Sequence, residues 1–112
     1  MEKITCLSET RWDNGNLKKA EILYDNNVLV VKDFFNTGSI WQFTTYNEKE
    51  IRHGMHAIFS PSGIPKVEEF YDKGIIVFQK TYNPHGQQLT LDNYQAGVLI
   101  RRTILMVGII EF

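Results

Sequence analysis

Three histidines, one cysteine and an adjacent pair of glutamates are the residues of this chain best suited to chemistry. A metal site built on His53 and His56 needs further Cys, His or carboxylate ligands at short spacing, and the segment "IRHGMHAIF" supplies none. His85 lies in the turn-like phrase "YNPHG". Glu68 and Glu69 could work as an acid and a base only from one face, and neighbours along a strand point to opposite faces. The glycines are spread evenly, so no GxGxxG or GxxxxGK[ST] phosphate loop is present. The expectation is a protein that is not an enzyme, with no catalytic residues, no metal and no cofactor.

Bulk charge narrows the partners. Twelve basic and thirteen acidic residues give a formal net charge of -1, and they are mixed along the chain. No Lys/Arg run marks a nucleic-acid or membrane-surface patch, and Arg101-Arg102 is too short to make one. The sequence therefore predicts no nucleic acid and no membrane among the partners. Cys6 cannot form an intramolecular disulfide and reads as a small hydrophobe. With no apolar leader in "MEKITCLSET", the reducing cytoplasm is the expected compartment.

The elements that must position any site are announced by a repeat. "WDNG", "FFNTG", "FSPSG" and "YNPHG" each place an aromatic before a turn glycine, and Gly15, Gly38, Gly63 and Gly86 lie 23, 25 and 23 residues apart. Tyr24, Tyr46, Tyr71 and Tyr94 follow these glycines by 9, 8, 8 and 8 residues. Each tyrosine precedes a second turn: "DNN", "DKG", "QAG" and a longer "NEKEIRHG" from Asn47 to Gly54. Between the turns lie runs of strand length such as "VLVVKDFF" and "IIVFQKTY", the latter placing Ile76, Phe78 and Tyr82 on one face with Lys80 as the exception. Connections this short forbid parallel crossovers. The predicted fold is all-β: an antiparallel meander of four hairpin repeats in a twisted single sheet, ending in a capping strand.

One domain over 1–112 follows, with repeats at 10–30, 31–54, 55–76 and 77–97 and a cap at 98–112. Stacking neighbours bury what a lone hairpin cannot, so the tyrosines and turn aromatics are read first as scaffold. Counting back from each tyrosine, neither face alternates cleanly, which suits a thin sheet with a shallow core. The C-terminal "VLIRRTILMVGIIEF" breaks the repeat. It reads as a cap, with a bend at Gly108, or as an edge open to strand addition, and the cap is preferred.

The phrases "WDNGNLKKAEILYDNN", "FFNTGSIWQFTTYNEK", "FSPSGIPKVEEFYDKG" and "YNPHGQQLTLDNYQAG" resemble the bacterial MORN-repeat variant found in YwqK-family, antitoxin-like proteins. The chain departs from that pattern where Asn27 replaces a glycine and where Gly54 is displaced. The resemblance implies a non-catalytic, cytoplasmic immunity protein that binds one cognate bacterial toxin, one to one, and occludes its active site. The alternative it leaves open is a MORN-type scaffold that binds another protein or a membrane surface, and an exposed sheet edge would also allow a homodimer. On the immunity reading the contacts fall to Trp41 and Phe43, which share a strand face, and to Glu68, Glu69 and Asp72, an acidic patch for a basic toxin. Core packing for the two aromatics, and a solvated turn for the three acids, are the ordinary readings of the same residues.

Overall fold

The computed structural model describes residues 4–25 and 27–105, so the expected bend at Gly108 lies outside the described residues. Nine strands follow one another in the described residues: β1 (Ile4–Arg11), β2 (Leu17–Tyr24), β3 (Leu29–Phe34), β4 (Ile40–Tyr46), β5 (Arg52–Phe59), β6 (Pro65–Asp72), β7 (Ile75–Tyr82), β8 (Gln88–Gln95) and β9 (Val98–Ile104). They form one open sheet in sequence order, each strand antiparallel to the next. The all-β hairpin meander expected from the sequence is the fold. β9 extends it beyond β8 as a further strand, and Val98, Leu99, Ile100 and Ile104 on it remain exposed.

Two turn chemistries close the hairpins. In six of them residue 1 of the turn donates its N–H to the carbonyl of residue 5 and accepts from the N–H of residue 4, as in Phe35 with Ser39 and Gly38. Residue 4 must take a positive φ, which Gly38 does at 98°. The same place is Gly15, Gly63 and Gly86 in the other first turns, but Asn27 and Glu50 in the turns Tyr24–Val28 and Asn47–Ile51. The other two connections, β6 to β7 and β8 to β9, are two-residue loops, Lys73-Gly74 and Ala96-Gly97, with both residues at positive φ.

This geometry corrects three sequence readings. The turn after β4 closes at Ile51, with Glu50 in the left-handed place, and Gly54 sits inside β5. Tyr24 is out of phase: it opens its turn, whereas the turn after Tyr46 opens on Asn47, and Leu23 stands in register through Leu29 with Tyr46. Only three of the four tyrosines are therefore equivalent, which is why the first spacing is one longer. The turn aromatics shift in the same way. Trp12 and Phe35 are first residues of their turns, while Phe59 and Tyr82 end their strands and Ser60 and Asn83 open the turns.

The sheet has almost no interior. Among the described residues only Ala20 and Ala57 are buried apolar side chains. The radius of gyration is 16.4 Å, against about 13 Å for a compact domain of this length. Cohesion comes from cross-strand neighbours, each worth about 0.2–1 kcal/mol, such as the stacked rings of Phe70 and Phe78 at 5.7 Å. Both faces are thus left for function.

Candidate partner-binding site

Register assigns the faces, because residues paired across antiparallel strands point the same way. One face carries the row Val31, Thr44, His56, Glu69, Gln79, Asp92 and Arg102, flanked by Tyr46 and Tyr71; it is called here the tyrosine face. The other carries the row Ala20, Lys32, Phe43, Ala57, Glu68, Lys80 and Leu91, with Trp41 beside it; this is the tryptophan face.

The tyrosine face is polar but closed on itself. His56 Nδ1 lies 2.7 Å from Glu69 Oε1, Gln79 donates to Glu69 Oε2 at 2.8 Å, and the Tyr71 hydroxyl donates to Glu69 Oε1 at 3.4 Å. Arg52 stacks on the Tyr71 ring at 5.4 Å. Two strands on, Arg102 grips Asp92 with two hydrogen bonds of 2.8 Å. Those bonds hold the Asp92 carboxyl below the usual carboxylate range, more strongly than its burial raises it, and they push the Arg102 guanidinium up. No side-chain nitrogen or oxygen among the described residues is buried without a hydrogen-bond partner. A network this complete stiffens the sheet and leaves few groups to offer.

The tryptophan face is built by bulges. At the first-turn end of each hairpin the pairing skips one residue: Lys18 between Leu17 and Lys19, then Trp41, Lys66 and Leu89. A bulge re-aims the extra residue. Each of the four lies two residues from an in-register residue of this face, and all four are exposed. They form a line along which successive members are two strands, about 10 Å, apart. Trp41 is 45% exposed, with its ring held against Phe35 at 6.2 Å, and Phe43 packs on Phe59 at 6.2 Å.

Trp41 and Phe43 therefore do share a face, and Phe43 is the half-buried member. The expected acidic patch does not assemble. Glu68 is on the tryptophan face, accepting from the Tyr82 hydroxyl, while Glu69 is on the tyrosine face inside its network. Asp72 stands at the end of β6, 3.6 Å from His53. Burial, and then the bond to Glu68, push the Tyr82 hydroxyl up to about 12. Another bulge, at Val77, sends Ile76 to the tyrosine face while Phe78, Lys80 and Tyr82 stay on the other.

The sequence reading missed the His56–Glu69 pair, because the acidic companion comes from the neighbouring strand. A signal was there: His56, Gln79 and Arg102 are spaced by 23 residues, the repeat period, as are Glu69 and Asp92. A cleft of 420 Å³ runs between turns and is lined by Asn27, Val28, Asn47, Glu48, Lys49, Ile51 and Lys73. That lining holds no nucleophile paired with a base. No group of three metal-ligating side chains occurs among the described residues, and no helix there is long and apolar enough to cross a membrane. Comparison of the chain with family models, with curated proteins and with solved structures gives no match.

Proposed function

We propose that this chain is a non-catalytic immunity protein that binds a cognate bacterial toxin and covers its active site with the tryptophan face. The observation that supports it is Trp41, a large amphipathic ring re-aimed by a bulge and left exposed on a one-layer sheet while Phe35 holds it in place. A pre-set aromatic on a flat face is the usual anchor of a protein–protein contact, because little side-chain freedom is lost on binding. The internal network of the opposite face supplies the rigidity that such an anchor needs.

Co-expression with the product of the neighbouring open reading frame, followed by affinity capture, tests the reading. The expected result is a one-to-one complex with a neighbour that is toxic alone, and loss of both capture and protection with Trp41→Ala. A harmless neighbour and an unaccompanied monomer would sink it.

A further inference from the structure

The net charge of -1 hides an uneven distribution between the faces. On the strands, the tryptophan face carries Arg11, Lys18, Lys32, Lys66, Lys80 and Arg101 against Glu9, Glu68 and Asp72. The tyrosine face carries Lys19, Arg52 and Arg102 against Glu21, Asp33, Glu69 and Asp92. Three of the tryptophan-face cations surround the aromatic anchor. Lys18 and Lys66 occupy the bulges on either side of Trp41, and Lys32 stands opposite Phe43 in the register. None of the three has an ion-pair partner among the described residues; Lys18 lies 4.7 Å over the Trp12 ring. The anions there are largely engaged: Glu9 with Arg11 at 3.0 Å, and Glu68 with Tyr82.

We infer that the tryptophan face docks an acidic surface of a partner protein, with Trp41 inserted between carboxylates held by Lys18, Lys32 and Lys66. This rests on the binding reading above and reverses the polarity expected from Glu68, Glu69 and Asp72. Long stems let the lysines lie along the apolar surface around Trp41 while their ammonium groups reach outward. Unpaired cations about 10 Å to either side of Trp41 raise the rate of encounter with a negative surface and set its register.

Octaglutamate is the probe, followed through the backbone amide NMR signals of the full chain. Expected are shifts confined to residues near Lys18, Lys32, Trp41 and Lys66, weakened by salt, and a loss of affinity of at least about tenfold with Lys18→Glu/Lys66→Glu. Both positions are exposed bulges, so the variant should fold, and an unchanged circular dichroism spectrum checks this. Lys18→Gln/Lys66→Gln, with a smaller loss, is the second variant. Shifts spread over the tyrosine face, an unaltered affinity in both variants, or tighter binding of oligothymidylate or phosphatidylserine vesicles than of octaglutamate would overturn the proposal. A captured toxin that binds both lysine variants as well as the native chain would overturn it while leaving the immunity reading intact. Octaglutamate binding as described, with no toxin captured, would do the reverse.

Discussion

The two faces of this sheet use polar side chains in opposite ways. On the tyrosine face His56, Glu69 and Gln79 are hydrogen-bonded across three strands, and Asp92 and Arg102 across the next two. On the tryptophan face Lys18, Lys32 and Lys66 surround Trp41 without ion pairs among the described residues. A one-layer sheet has no second layer to bury an apolar face against, so the tyrosine face binds its strands through hydrogen bonds. The tryptophan face adds the buried Ala20 and Ala57 and the ring contacts of Phe43 with Phe59 and Phe70 with Phe78, and around these it carries exposed, unpaired groups. Recognition is thereby concentrated on one side of a single backbone layer.

The sharpest break of that comparison is Trp41→Ala. Truncation of a central aromatic anchor typically costs binding about 2 kcal/mol or more, roughly 30-fold in affinity. Its effect on urea unfolding should stay below about 0.5 kcal/mol, since an exposed site buries little. Isothermal titration against the captured partner and urea denaturation of the free chain measure the two halves. A variant that unfolds early yet binds normally would place Trp41 with the scaffold.

Glu69→Ala should show the mirror image. It strips partners from His56 and Gln79 at once, and an unsatisfied, largely buried polar group costs about 1–3 kcal/mol. Unfolding should move to lower urea by that amount while partner affinity measured on the folded fraction stays unchanged. Equal losses in both measurements would mean that the faces are not separable.

How far this division could be read from the sequence depends on what a period of two assumes. Gly15, Gly38, Gly63 and Gly86 were legible because only one residue type fits their backbone comfortably, and the strands between them followed. The faces were not. Bulges at Lys18, Trp41, Lys66 and Val77 each add a residue to one strand, and every addition shifts the alternation beyond it. Tyr24 misled for a different reason: it opens its turn, one place after the position that Leu23 holds. The polar row was half legible, since Thr44, Glu69 and Asp92 all stand two before their tyrosines. Their cross-strand partners depend on register, which local sequence does not state.

The turns refine the comparison at smaller amplitude. Gly38→Ala forces a Cβ into a φ of 98° and should destabilise by about 1–2 kcal/mol. Glu50 holds the equivalent place at 62°, so Glu50→Gly should relieve strain and stabilise by up to about 1 kcal/mol. Thermal unfolding of the two variants should therefore shift in opposite directions, with partner affinity unmoved because neither residue is on the tryptophan face row. A loss of stability in Glu50→Gly would show that the carboxylate contributes more than its backbone costs.

The smallest effect concerns acid. Arg102 holds the Asp92 carboxyl below its ordinary value in the folded chain. Unfolded, the same group protonates near its reference value of about 3.9. Between the two values the unfolded state binds more protons, so stability falls as pH falls. The contribution is whole above about pH 4 and is lost as the pH drops through the depressed folded value. Asp92→Asn keeps the shape but accepts only one guanidinium hydrogen bond through its oxygen, so its stability should be lower at neutral pH and flatter against pH below about 4. Because Arg102 is half-exposed, the difference at neutral pH should be smaller than that for Glu69→Ala. Parallel acid slopes for the native chain and the variant would assign the acid sensitivity to other carboxylates. A flatter slope would show that the tyrosine face fastens β9 through one charged pair, while on the tryptophan face Lys18, Lys32 and Lys66 stay without ion pairs among the described residues for a partner.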